Sequence, residues 1–498
     1  MSMRRVIDAV RQHAAQTPLQ LALQDEERVL TYRSLADAIE RLAAQLRAHR
    51  PRAIALLGDN GLAWAVADLA ALAADIPVVP LPLFFSQTQL AHTLRTAGVD
   101  LVLTDQPARI RQALACTDLS ATPFYGSLYG MPLPADPDTA SLPAGTLKVT
   151  FTSGTTGEPK GVCLGREEME TVAESLRQAS AAAPGDRHLC LLPLATLLEN
   201  VGGLYTPLLA GATACLPPLA AVGLHGSSTL DVGRLIGALH AWRASTAILV
   251  PQMLQALVAA GRMGVALPAT LRYLAVGGAP VSPHLLEQAH ALGLPVYQGY
   301  GLSECASVVA ANRPDAHRPG SVGKPLPHVG IAFAADGEIL VQGPRWRGYL
   351  GKGHTDTTLV ATGDLGYLDD AGYLFLTGRK KHLFITAFGR NVAPEWVEGE
   401  LVAHPGIAQA ALFGEARPFN CAVIVPSPGA THDAIGAALD AANARLPDYA
   451  RVATWIRADA PFTPAAGLAT PNGRLRRDAI LRHYADRIDA LYQPQTEH

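Results

Sequence analysis

Over most of its first 300 residues the chain alternates short β-branched, apolar runs with longer Ala/Leu-rich stretches. Arg52–Leu57, Asp100–Leu103, Leu147–Phe151, Thr246–Val250, Leu271–Val276 and Leu294–Tyr297 read as strands. Thr31–Arg47, Gln87–Ala97 and Glu167–Ala182, which lie between several of them, read as helices. A helix that carries the chain back over a sheet lets the next strand run parallel to the last. The order therefore predicts α/β layers on doubly wound, largely parallel sheet.

The pattern changes after Pro319. Val329–Phe333 and Glu338–Val341 flank Asp336-Gly337, and Gly366–Leu368 and Tyr373–Leu376 flank a second Gly-containing turn. These read as antiparallel hairpins of a small β-barrel or sheet. From His382 a mixed order follows: strand Leu383–Thr386, helix Pro394–Ala403, strands Ala408–Phe413 and Ala422–Val425, helix His432–Arg445. A chain of 498 residues exceeds one ordinary core. We expect a large domain over 1–380 and a small α+β domain over 381–498.

Several function classes are disfavoured. With 40 basic against 43 acidic residues, no cationic excess exists to neutralise a nucleic acid. At the amino end Asp8 and Gln12 break any apolar run, and Val6, Val10 and Ala14 suggest an amphipathic helix stopped before Pro18. The most apolar stretch, Gly61 to Phe85, holds Asp68, Asp75, Pro77, Pro80 and Pro82, so it reads as buried helix and strand and not as an integral membrane segment. Six scattered cysteines without a CxxC pair read as reduced thiols of a cytoplasmic protein. Sixteen histidines without an HExxH spacing give no sign of structural zinc.

The segment from Val149 to Val162 carries chemistry. Thr152, Ser153, Thr155 and Thr156 stand among Gly154, Gly157 and Gly161, with Lys160 beyond. Hydroxyls and glycine-exposed N–H groups suit a polyphosphate, and Lys160 adds positive charge. The P-loop ending GK[ST] is missing, so on its own the loop fits several kinds of nucleotide binder.

The loop nevertheless resembles the phosphate loop of the acyl-adenylate-forming (AMP-binding) superfamily: acyl-CoA synthetases, aryl-CoA ligases and peptide-synthetase adenylation domains. Leu30–Leu35, Gly277–Pro280, Tyr300–Glu304, Thr362–Leu365, Gly378–Lys381, Gly389–Pro394 and Thr470–Arg474 are similar to its further motifs, in its order. The resemblance implies a mobile small domain and a reaction in two halves. A carboxylic acid and ATP give acyl-AMP and pyrophosphate. The acyl group then passes to a thiol, of coenzyme A or of phosphopantetheine on a separate carrier protein.

The implied roles follow residue by residue. Thr152, Ser153, Gly154, Thr155, Thr156, Gly157 and Lys160 would hold the phosphates, and Glu304 would hold Mg²⁺, a hard cation that prefers carboxylate oxygen. Ser303 keeps a hydroxyl near the α-phosphate. Gly278, Ala279, Pro280 and Tyr300 would form the adenine slot and the wall of the acyl pocket, Asp364 would hold the ribose hydroxyls, and Arg379 would contact the ribose or phosphate at the domain junction. Thr196, Leu197, Asn200, Val201, Val276 and Gly301 would line the acyl pocket. Lys381 would be the hinge, and Phe388 and Gly389 would face the thiol tunnel.

Two residues depart from the family pattern. Arg474 stands where the family has a lysine that touches carboxylate and α-phosphate, and Thr196 stands where acyl and aryl activators often have His. Ala195 and Thr196 supply no counter-ion for an α-ammonium, which points to a fatty or aromatic acid. Alternatives are a catalytically disabled relative, and a ligase that stops at the adenylate or uses an amine acceptor.

Overall fold

The computed structural model of the chain describes residues 5–134, 141–152, 160–226, 229–343, 346–352, 359–470 and 473–493. Two large sheets dominate it. One has nine strands in the order Lys324–Pro325, Ala310–Ala311, Val296–Tyr300, Tyr273–Val276, Thr246–Leu249, Arg187–Leu189, Thr213–Cys215, Leu21–Gln24 and Val29–Thr31. Its centre is parallel, as the strand–helix alternation predicts. The other has eight strands, with Val78–Leu81, Ile54–Leu57, Leu101–Thr104 and Lys148–Thr152 parallel at its centre.

The helix between two of these strands shows why burial on all sides reads as an apolar run. Leu62–Ala74 is buried along almost its whole length, and Asp68 within it is paired, not solvated. No helix among the described residues is long and apolar enough to cross a membrane. At the amino end, Val6–Gln16 is a helix that buries Val6, Ile7, Ala9 and Val10.

The hairpins after Pro319 join into one antiparallel sheet of four strands, Gly330–Phe333, Glu338–Gln342, Val360–Leu368 and Leu374–Arg379. Of the barrel or sheet expected here, the described residues form an open sheet. The last part of the chain packs Pro394–Val402 and His432–Arg445 on a three-stranded sheet with its own core. Its third strand, Val452–Arg457, runs parallel to Asn420–Pro426.

Strand direction positions the site. Gly277 and Gly278 follow Tyr273–Val276, and Gly301 follows Val296–Tyr300, at the carboxyl ends of these strands. Crevices outside the carboxyl ends of such strands are where α/β sheets bind ligands.

Candidate active site

A cavity of about 1120 Å³ runs along these strand ends and under the small domain. Lys160, Gly278, Ala279, Tyr300, Ser303, Glu304, Arg379 and Arg474 all line it. Gly278 takes φ 83°, a left-handed conformation that a side chain resists. Gly301 is fixed by space instead, since a Cβ there would lie 1.6 Å from the Ser307 carbonyl oxygen.

Asp364 and Arg379 face each other on adjacent antiparallel strands. The buried carboxylate accepts from Arg379 Nε at 2.6 Å through Oδ1 and from the Tyr300 hydroxyl at 2.7 Å through Oδ2. Burial, and secondarily the Asp364 charge, push the Tyr300 phenol far above its ordinary range, so it remains a donor. For Arg379 burial opposes the charge, but Asp364 outweighs it and holds the guanidinium above its usual value. Both carboxylate oxygens are thus accepting already, and either contact can be exchanged for a diol.

Glu304 lies on a short turn, Ser303–Cys305, and its Oε1 accepts from the Tyr349 hydroxyl at 2.7 Å. Lys160 Nζ stands 5.7 Å from the centre of the Tyr349 ring. Arg474 reaches across from the last part of the chain, and its Nη2 donates to the Gly278 carbonyl at 3.2 Å. Burial and then Arg379 lower its pKa, while Asp364, Glu304 and Tyr300 work the other way. A residue 110 positions from Asp364 that feels all four groups belongs to one polar centre.

Val276, Thr196 and Leu197 also line the cavity, with Gly301. The Thr196 hydroxyl donates to the Pro193 carbonyl at 2.7 Å, so it is spent on its own turn. Asn200 and Val201 do not join them. Val201 is in the core, and Asn200 sits in a buried network in which its Nδ2 donates to Asp68 Oδ2 at 3.1 Å and Lys148 donates to its Oδ1. Lys148 also reaches Asp68 at 2.8 Å and the Tyr205 hydroxyl at 3.0 Å. The cause is a π-helical turn over Asn200–Tyr205, which rotates this stretch away from ordinary helical spacing.

Pro280 is exposed beside the lining residue Ala279. Phe388 is 76% exposed, and Gly389 closes the turn of the hairpin Phe384–Ile385 and Asn391–Val392; neither lines the cavity. Lys381 is exposed in the turn after Leu374–Arg379. Ser153, Gly154, Thr155, Thr156 and Gly157 lie outside the described residues, as does the side chain of Thr152. No motif points to Tyr349, whose partner Glu304 is 45 positions away.

The family models match almost end to end: "AMP-binding enzyme" over residues 10–350 and "AMP-binding enzyme C-terminal domain" over residues 382–496. The chain belongs to the AMP-binding enzyme family. An indoleacetate–CoA ligase of Aromatoleum aromaticum is 31% identical, over 88% of this chain and 91% of its own length. A long-chain-fatty-acid–CoA ligase of Mycobacterium bovis, FadD15, is 29% identical over 69% of both. The o-succinylbenzoate coenzyme A synthetase of Bacillus subtilis, solved with ATP and magnesium ion, superposes with a TM-score of 0.74 at 25% identity. The match covers 94% of this chain and 98% of that one. Like this protein, it is a mixed α/β fold with a large first domain and a separate carboxyl-terminal one.

Proposed function

We propose that this protein is an AMP-forming acid–CoA ligase for an aromatic or fatty acid that lacks an α-amine. The observation that carries the reading is the position of Arg474, which brings a permanent positive charge over Gly278 in the cavity that Glu304 and Arg379 also line, with Asp364 paired to Arg379 behind it. An acid carboxylate and the α-phosphate of ATP repel each other, and a cation between them removes that barrier. Such transfers depend mainly on positioning and charge neutralisation, so no acid–base pair is required. Asp364, with Arg379, would exchange its present contacts for the ribose hydroxyls. Glu304, a carboxylate facing the cavity near Lys160, fits a hard cation and would hold the Mg²⁺ that comes with ATP and neutralises its phosphates.

The acyl wall supports the substrate class. Thr196 is occupied, and Glu199, the one charge in Leu192–Glu199, is fully buried against His188 at 3.1 Å. Neither is available to an α-ammonium. The relatives favour coenzyme A over a carrier protein as acceptor, and six free cysteines suit a reducing compartment.

The test is release of pyrophosphate from MgATP across aryl, arylacetic, fatty and α-amino acids, followed by mass detection of the CoA thioester. We expect turnover with one of the first three classes and a CoA-dependent product. Faster turnover with α-amino acids would overturn the substrate class. Pyrophosphate release followed only by amide or free adenylate would overturn the acceptor.

A further inference from the structure

The two groups expected to manage the ATP phosphates, Lys160 and Glu304, come from separate parts of the chain. One residue lies between them. Tyr349 belongs to the short strand Gly348–Tyr349, which pairs antiparallel with Lys160–Leu164 so that Tyr349 faces Val162 and Gly348 faces Cys163. Backbone bonds from Arg347 to Cys163 and from Leu350 to Gly161, both 2.8 Å, fix this register. Gly161 allows the approach, since a Cβ there would come within 3.1 Å of Leu350 Cβ. Trp346 packs edge-on against the Tyr349 ring at 4.6 Å. Held by the strand pairing and by Trp346, the ring points its hydroxyl at Glu304 and its face toward Lys160.

Resting on the MgATP reading above, we propose that Tyr349 is a positioning residue that presents the Glu304 carboxylate to the cation and keeps it in register with Lys160. A glutamate side chain has several rotatable bonds, and fixing it for a metal costs rotamer entropy. The phenol meets part of that cost before the nucleotide arrives. It donates to Oε1 alone, and a carboxylate has acceptor capacity for a metal as well. As a neutral donor it leaves the negative charge intact. The ring face meanwhile gives Lys160 an attractive surface that does not compete for the phosphates. Hydrogen-bond partners of metal-holding carboxylates typically account for about 10–100-fold in metal affinity or activity.

Equilibrium binding of a non-hydrolysable ATP analogue, with and without Mg²⁺, tests this in the full chain. Tyr349→Phe removes one oxygen and keeps the ring and the strand. We expect metal-free binding near that of wild type and a Mg²⁺-dependent gain about tenfold smaller. Glu304→Gln should abolish the gain, and adding Tyr349→Phe to it should change nothing more, because the phenol acts only through that carboxylate. A full Mg²⁺ gain in Tyr349→Phe, or effects of the two substitutions that simply add, would overturn the positioning role alone. Absence of any Mg²⁺ gain in wild type would overturn the nucleotide reading, and this inference with it.

Discussion

Arg474 is partly exposed at the mouth of the cavity, beside Arg379, whose charge opposes a second positive charge there. A guanidinium keeps its charge there over the whole working range of pH, whereas a lysine ammonium gives up its proton more readily. That is a physical reason for arginine where the family pattern has lysine. We expect Arg474→Ala to slow pyrophosphate release by about 10²–10³-fold, as removal of one charge-stabilising donor does. Thioester formation from presynthesised acyl-adenylate should stay near wild type. Arg474→Lys should be active at neutral pH and lose adenylation at a less alkaline pH than wild type, because its charged form is the active one. Equal loss of both half-reactions in Arg474→Ala, read by single-turnover kinetics, would remove the arginine from the first step. That Arg474 lines the cavity could be expected from motif order, which survives along the chain without knowledge of distance. Tyr349 was not legible, since a hydrogen bond across 45 positions leaves no local pattern.

At the level of elements, the π-helical turn Asn200–Tyr205 decides which residues meet the acyl cavity. Its wider turn brings residues five apart to one side, and Asn200 and Tyr205 both reach Lys148 and Asp68. The family resemblance, which carries no local helix geometry, put Asn200 and Val201 at the acyl pocket, and neither lines the cavity. The strands were easier to find, because runs such as Thr246–Leu249 are buried on both faces and read as unbroken apolar stretches. Gly203 makes the turn possible: a Cβ there would lie 2.2 Å from Glu199 Oε1 and 2.9 Å from His188 Nε2. Gly203→Ala should therefore destabilise the protein by about 1–3 kcal/mol, the usual cost of overpacking, seen as a lower urea midpoint. Gly436→Ala is the matched control, for its helix His432–Arg445 has no atom within 4 Å of the new methyl group. It should be neutral or stabilise by about 0.4–1 kcal/mol. Equal midpoints for the two variants would show that the His188–Glu199 pair does not constrain the turn.

Across the whole molecule, several polar contacts join the large sheets to the described residues beyond 381, alongside apolar packing of Ala403. Arg445 pairs with Glu287 at 3.2 Å, Gln255 donates to the Val402 carbonyl, and Arg474 donates to Gly278. Interfaces of that kind permit relative motion. The composition change near residue 380 was visible in the sequence, but the strand Val452–Arg457 was missed, because its parallel pairing with Asn420–Pro426, a strand the sequence did show, leaves no local turn signal. In the present arrangement Arg474 is at the cavity while Phe388 is in solvent, which on the function proposed above is the arrangement for adenylation, with the thiol face outward. Exchanging them requires rotation, and we place its pivot at Lys381. Lys380 is tied to the large sheets' side, its N–H to the Gly363 carbonyl at 2.9 Å and its ammonium to Glu338 at 3.1 Å. Lys381 is the first exposed residue beyond that tether, and its φ is not in the positive range, so proline can enter without a left-handed clash. Proline would then fix φ and restrict Lys380 as well. Lys381→Pro should leave acyl-adenylate formation standing, because the arrangement for that step already exists. Thioester formation should fall by about a hundredfold, the scale on which small misplacements of reacting groups act. Single-turnover measurements of the two steps on one preparation decide it: parallel loss of both, with the melting temperature unchanged, would show that Lys381 is not the pivot.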